Sequence, residues 1–494
     1  MDKNSKILLL NLPSPPNLDI YRDAAGGFGV SFPCSRNDYG ENMEKTLHPF
    51  LPYASSVLLD AECEFNVLDC QNLKLNKVEV LNAIKKENPD IIFSLLNLPS
   101  LKKDLELLNE IKRDNPNISI IGVGTVCHVL PNEILRMGGV DVILRDRYPH
   151  VENLANLVRA VQGSRRISDV GNVSYIKEGR IIHTPDLPEV DLSKFPPPSY
   201  ERIKLDGYES VTDLNGERNL SIFVLGSKGC PYQCIYCPYP VGFGRKPSYR
   251  TPKQVVDEIE YLHTARKIRG FVLREQSFTL DLKRAEEICD EIIRRNLDIV
   301  WGCEARVDAV SRELLKKMKK SGCIRVHYGV ESGDPEILKI AKPGVTLERI
   351  KKAFRMTKEA KILTGAHMIL GWPNDNLKTV ENTYKLIAKV DPDSVYWNFL
   401  TPYPGTKIRE IAQKNNLILT NDWSHYTSHT VVMKTKHLNA QQLYMAERRI
   451  IRNLAKKKLW KLILQSDINN LKKFRPIISE TKGLVGRIFF PQKC

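Results

Sequence analysis

No apolar run in the 494-residue chain approaches the roughly 18–20 residues that a bilayer-spanning helix needs. The first apolar stretch, KILLLNLP (6–13), is too short for a signal-peptide core and is followed by no cleavage pattern, so the expected location is the cytoplasm. Eleven cysteines with no secretory signal exclude a disulfide framework and favour reduced thiols and a metal site. With 42% hydrophobic and 27% charged residues, the composition is that of a globular protein, and the length calls for two or three domains. The formal charge of +16 is unevenly spread: residues 447–494 hold thirteen Lys or Arg against three Asp or Glu.

The first third alternates strands with helices. KILLLNLP, CEFNVLDC (63–70), PDIIFSLLN (89–97), ISIIGVG (118–124) and VDVILRD (140–146) are short and nearly continuously apolar, as strands buried on both faces should be. Helical spacing and Asn-Pro stops mark the segments between them. The pattern predicts a doubly wound, flavodoxin-like parallel sheet over residues 1–165, a fold that binds ligands beyond the carboxyl ends of its strands. Gly122 and Gly124, after the fourth strand, would let a flat ligand approach the backbone. Residues 166–215 are proline-rich and read as an irregular connector. A second series of six strand and helix units follows in 216–425, beginning at LSIFVLGSKGC and ending at DSVYWNFLTPYPG, and predicts a partial barrel whose chemistry gathers at the strands' carboxyl ends. Residues 426–494 read as a basic helical segment.

The loop after the first barrel strand, GSKGCPYQCIYCPYP (226–240), holds Cys230, Cys234 and Cys237. A structural zinc site normally takes four protein ligands, often as two spaced pairs. One tight triplet instead suits an iron–sulfur cubane with one iron left open to a substrate or cofactor. Cys-x-x-x-Cys-x-x-Cys with Tyr236 before the last cysteine resembles the signature loop of radical S-adenosylmethionine (SAM) enzymes. The resemblance implies a [4Fe–4S] cluster that chelates S-adenosylmethionine and cleaves it to a 5′-deoxyadenosyl radical.

Later segments resemble the same family in barrel order. FVLREQSFT (271–279) is similar to the second-strand motif, which implies that Glu275 and Gln276 receive the amino group of S-adenosylmethionine. WGCEARVD (301–308) and HYGVESGD (327–334) imply cofactor contacts for Arg306, Glu331 and Ser332; ILGWPND (369–375), with Gly371, and TPYPGT (401–406) match the later strands. Together with the N-terminal domain, the chain resembles the cobalamin-binding branch over roughly residues 5–425. That implies a cobalamin between the domains, with Gly122 and Gly124 on its side, and C-methylation of an unactivated carbon in a small-molecule, lipid or natural-product substrate. Other members of the branch carry out cyclisations or rearrangements. Where members usually carry Gly-Gly followed by Pro-His, this chain has Gly-Val-Gly-Thr (122–125), and their Gly-Glu-rich turn is replaced by RDRYPH (145–150). It also lacks an Asp-x-His-x-x-Gly motif for a histidine ligand to cobalt.

An RNA methylthiotransferase is the rival reading, since positive charge attracts phosphate. It needs a second thiol trio near the N-terminus, and Cys34, Cys63, Cys70 and Cys127 lack the spacing, so no nucleic acid partner is expected. Cys289, Cys303 and Cys323 read as core residues. His128 and His150 lie near the expected cobalamin face. The resemblance further implies an electron donor such as a flavodoxin or ferredoxin. Ile451, Leu454, Ala455, Leu459 and Leu462 fall on one helical face of the basic C-terminus, which packs on the barrel or makes peripheral contact with an anionic membrane.

Overall fold

The computed structural model describes residues 5–16, 18–33, 46–208 and 221–465, with side chains given to residue 457. All five expected N-terminal strands form: Ile7–Asn11, Phe65–Asp69, Ile91–Leu95, Ser119–Val123 and Val142–Leu144. They pair in parallel in the order 2-1-3-4-5, the flavodoxin-like winding. Every residue of Ile7–Asn11 and Ile91–Leu95 is buried, because helices cover both faces of the sheet. The helix Lys77–Glu87 starts at a reciprocal Asn76 and Glu79 capping box and stops at Asn88, whose φ of 46° ends it before Pro89.

The connector is more regular than its prolines suggest. Val173–Lys177 and Arg180–His183 form a hairpin that extends the N-terminal sheet on the Val142–Leu144 edge. Both turn residues, Glu178 and Gly179, have positive φ (49° and 74°), the backbone twist that joins adjacent strands through two residues. The hairpin corrects the expected irregular connector at residues 173–183, whereas 184–208 hold only the short helical turn Leu192–Lys194.

Six parallel strands build the second domain in chain order: Ser221–Val224, Gly270–Leu273, Val300–Ala305, Cys323–Glu331, Leu363–Leu370 and Ser394–Phe399. The helices between them are capped as their sequences dictate, with Thr251 and Gln254 closing a capping box ahead of Pro252–Arg266 and Asn376 capping Leu377–Val390. Cys289, Cys303 and Cys323 are buried in this core, as expected. The C-terminal helix runs Ala440–Gln465 and docks Leu443, Ala446, Ile450 and Ile451 on the barrel. The side chains of Leu459 and Leu462, and most of the basic run, lie outside the described residues. Among the described residues no helix is long and apolar enough to cross a membrane.

One segment outside both sheets joins the domains. The hairpin Leu18–Tyr21/Val30–Pro33 and the turn between its strands, RDAAGGFG (22–29), form a wedge. Gly26 lies so close to the backbone of Pro238 and Tyr239 that a Cβ would sit 2.8 Å from Pro238, and Gly27 leaves the same kind of room for Thr125. Phe28 stacks on Tyr403 of the last barrel loop at 5.2 Å.

Candidate active site

The three cysteines occupy the loop above the first barrel strand, and backbone hydrogen bonds hold that loop at several points. The Cys230 N–H donates to the Gly244 carbonyl (3.1 Å), that of Ile235 to Ala341 (3.3 Å), and that of Ile408 to Ile235 (2.9 Å). Just ahead, Lys228 is fully buried, with its ammonium 2.6 Å from Glu152 of the N-terminal domain and 3.6 Å from connector residue Glu189. Glu189 also pairs with Arg147 (3.1 Å), whose guanidinium donates to the Val241 carbonyl beyond the cysteines. Both flanks of the thiol loop are thus clamped from outside the barrel.

The three thiols are partly exposed and carry no disulfide. Burial raises the pKa of each, and in Cys237 the charges of Cys234 and Cys230 add to the effect. They are near neighbours, yet no three His, Cys, Asp or Glu among the described residues close around a point as a single ion requires. Separate sulfurs on one short loop match the donor set of a cluster in which each thiolate meets a different iron.

A cationic wall faces the loop. Arg306 brings Nη1 to 3.7 Å from Cys234 Sγ, is fixed by Asp308 at 2.9 and 2.8 Å, and lies 3.6 Å above the Tyr232 ring. Lys342 donates to Glu331 (2.9 Å) and to the Gly329 carbonyl (2.6 Å). Glu331 is held at φ 68°, a costly conformation for a residue with a Cβ, and hydrogen-bonds Tyr236 of the thiol loop. Tyr236 in turn packs edge-on against Trp372 at 5.3 Å. Arg306, Glu331 and Tyr236 are thus brought together at the thiol loop. Asp308, Tyr232 and Lys342 join them without having been singled out.

Other expected contacts are placed differently. The second strand ends at Leu273, and the Glu275 N–H turns back to the Leu273 carbonyl (3.1 Å), so the residues that follow are placed by a turn and not by strand alternation. Glu275 is consequently buried under Gly226, accepting from Ser227 Oγ (2.7 Å) and Arg284 (3.1 and 3.2 Å), and it anchors the loop. Gln276 keeps a buried Oε1 with no protein partner. Ser332 is spent on the turn, accepting from the Asp334 N–H (3.1 Å) beside Thr383. Gly371 is required by its φ of 93°, with its N–H on Asp375 (2.9 Å).

Gly122 and Gly124 also have a local explanation. A Cβ on Gly124, at φ 132°, would lie 2.4 Å from the Leu96 carbonyl oxygen, and one on Gly122 would press on Leu96 and Cys127. Leu96, directly after the neighbouring strand, meets both positions. Gly124→Ala is expected to destabilise the chain by more than about 2 kcal/mol; a urea midpoint within error of the parent would contradict this packing.

Where the domains meet, Arg274 enters from the barrel and meets the wedge. Its Nε donates to Asp23 (2.6 Å), and Nη2 to the Asp23 carbonyl (3.0 Å) and Tyr239 (2.8 Å), while Tyr148 donates to the other Asp23 oxygen (2.6 Å). Tyr148 stacks on Phe243 at 3.9 Å, directly after the thiol loop. His150 packs on Tyr148, and burial pushes its pKa down to about 3, so it is neutral. His128 lies away from that contact, 3.1 Å from the Arg145 carbonyl. Buried polar atoms without a protein partner lie beside the wedge: Asn97 Nδ2, His150 Nε2 and Tyr403 OH. The glycine-rich turn with its Arg-Asp pair was the sequence signal for this junction.

The comparisons agree with this geometry. Residues 224–387 match the Radical SAM superfamily. An uncharacterized methyltransferase of Pyrococcus horikoshii is 28% identical over 395 residues, 80% of this chain and 84% of the relative. The anaerobic magnesium-protoporphyrin IX monomethyl ester cyclase of Rubrivivax gelatinosus is 28% identical over 385 residues, 76% and 67% of the two chains. Among solved structures, the cobalamin-dependent SAM radical enzyme OxsB, with aqua-cobalamin and S-adenosylmethionine bound, superposes with a TM-score of 0.72 at 16% identity, covering 99% of this chain and 74% of its own. The radical SAM methyltransferase TsrM of Kitasatospora setae, with cobalamin and a [4Fe–4S] cluster bound, gives 0.64 at 19% identity, covering 88% and 83%. The family match begins at the end of the first barrel strand, just ahead of the thiol loop, and closes in the helix before the last strand, so that residues 224–387 of this chain carry a radical SAM domain.

Proposed function

We propose that the protein is a cobalamin-dependent radical SAM methyltransferase acting on an unactivated carbon of a small molecule, a lipid or a natural product. The observation that carries the reading is the thiol trio on one clamped loop, with Arg306 3.7 Å from Cys234 Sγ. Cys230, Cys234 and Cys237 would hold a [4Fe–4S] cluster, which when bound would supply the electron for cleavage of S-adenosylmethionine, and a cobalamin between the domains would supply the methyl group. The chain's own residues position and shield. Gln276 Oε1, buried and unpartnered, is suited to accept from the ammonium of S-adenosylmethionine. Arg306 and Lys342 place positive charge beside the anionic cluster site, and Tyr236 on Trp372 keeps water from it. The unpartnered atoms beside the wedge, His150 Nε2, Asn97 Nδ2 and Tyr403 OH, suit a ligand rich in amide groups such as a corrin ring.

Anaerobic reconstitution with iron and sulfide, then incubation with S-adenosylmethionine and dithionite, tests the reading. Iron and sulfide near cluster stoichiometry with 5′-deoxyadenosine formation support it; stoichiometric zinc or no S-adenosylmethionine cleavage would sink it. Deoxyadenosine without S-adenosylhomocysteine in the full reaction would favour a cyclase outcome. An electron donor such as a flavodoxin or ferredoxin takes dithionite's place in the cell, and peripheral membrane contact rests on the charge of 447–494 alone.

Arg306 offers a graded test. A positive charge near a cluster stabilises its reduced, more negative state, so Arg306→Gln should lower the midpoint potential by roughly 50 mV, a shift of order tenfold in the one-electron equilibrium. A redox titration followed by electron paramagnetic resonance reads this directly. A potential unmoved by the change would show that Arg306 does not face the cluster.

A further inference from the structure

Burial alternates along the middle strands of the barrel sheet. Glu304, His327 and His367 are each partly exposed, while the residues on either side of each are buried. Those buried neighbours belong to the core shared with the surrounding helices, so the partly exposed set lies on the inner face of the sheet. Glu304 keeps 36% of its side chain exposed there, which places open space beside this polar set.

Register sets Glu304 beside His327, and His367 beside Tyr396. The rings of His327, His367 and Tyr396 form one cluster, with centroids 5.5, 5.1 and 5.0 Å apart. Gly365, opposite His327, makes room for it: a Cβ there would lie 2.4 Å from the imidazole. Nε2 of each histidine is buried without a hydrogen-bond partner, a cost that a bound acceptor would relieve. Arg325 stands two residues before His327 on the same face. Burial, then the positive charge of His367 and Arg325, holds the His327 pKa well below its ordinary value, so its ring is neutral and offers one N–H. The nearby carboxylates are already engaged, Glu304 by Arg274 (3.3 Å) and Glu331 by Lys342 (2.9 Å). What remains unspent is donor capacity and positive charge, which suits an anionic oxygen group. A metal ion fits poorly, because no third ligating side chain closes around a point among the described residues and Arg325 opposes a cation.

We propose that His327 and His367, with Arg325, anchor a carboxylate of the substrate on the inner face of the barrel. The proposal rests on the function proposed above and narrows its substrate to a carboxylic acid. Arg306, which reaches Cys234, lies two residues beyond Glu304, and Glu331, which reaches Tyr236, lies four beyond His327. At about 3.3 Å per residue the anchor is roughly 7–13 Å from the thiol-loop end of the strands. The reacting carbon is therefore several bonds away from the carboxylate.

The full-length protein, its cluster reconstituted anaerobically, is titrated by calorimetry with 3-phenylpropionate, with the neutral 3-phenylpropanamide and with phenyl phosphate. The acid should bind at least about tenfold more tightly than either of the others, and His327→Phe with His367→Phe should abolish that preference. His327→Gln with His367→Gln, which keeps an N–H donor at each place, should retain part of it. Iron content and circular dichroism check the variants, and the comparison of acid with amide stands on the parent alone if the double Phe variant fails to fold. Equal binding of acid and amide, a preference for the phosphate, no binding at all, or a preference that survives the double Phe change overturns the anchor. S-adenosylmethionine cleavage by the same parent preparation separates the two failures: intact cleavage confines the loss to the anchor, and absent cleavage removes the proposed function as well.

Discussion

Replacing any one of Cys230, Cys234 or Cys237 by alanine is expected to drop iron from about four per chain to below one and to reduce S-adenosylmethionine cleavage by at least about a thousandfold. The size of the effect follows from the absence of a substitute. No other cysteine stands on this loop, and among the described residues Cys70, Cys127, Cys289, Cys303 and Cys323 are buried in the cores. Fold should survive, since the loop is tied by backbone bonds at Cys230, Ile235 and Ile408 and by Lys228, none of which needs a thiol. Metal analysis and product assay on the three variants, with circular dichroism as the control, make the measurement. A variant that keeps its iron and its activity would remove that cysteine from the ligand set.

The second large effect is at the domain junction. Asp23→Ala leaves the Arg274 guanidinium buried, with partly exposed Glu304 at 3.3 Å as its remaining carboxylate. Breaking one side of a buried pair typically costs about 3–5 kcal/mol, because the surviving charge is stranded in a poor solvent. Asp23→Ala with Arg274→Leu removes both charges and should recover about half or more of that loss. Urea unfolding of the full chain, followed by tryptophan fluorescence, compares the two. A single variant within about 1 kcal/mol of the parent would mean that water reaches this contact in solution.

The architecture was legible because its signals are redundant. Five short apolar runs and then six more, each closed by a polar or glycine-bearing loop, leave few alternatives, and all eleven became parallel strands. The thiol trio was legible for the opposite reason, as a dense and rare arrangement in one place. What was lost depended on orientation. Glu275 and Gln276 are adjacent, and only the turn after Leu273 makes one an anchor on Arg284 and leaves the other with a buried, unpartnered Oε1. Gly122 and Gly124 suggested a ligand, but the contact that demands glycine is the Leu96 segment of the neighbouring strand. The connector hairpin was readable in SYIKEGRIIH (174–183), where Glu-Gly separates two alternating runs, and the surrounding prolines masked it. The wedge at 22–29 was missed because its partners, Asp104, Arg274 and Tyr403, are scattered along the chain.

The wedge also constrains traffic. With Gly26 pressed on the Pro238 backbone and Asp23 gripped by Arg274, the two domains cannot part like jaws to admit a guest without breaking buried bonds. The barrel, by contrast, is an open sheet among the described residues, with Ser221–Val224 and Ser394–Phe399 as its outer strands. The loops at the carboxyl ends of the barrel strands, more than the clamped domain junction, would then set what the enzyme admits.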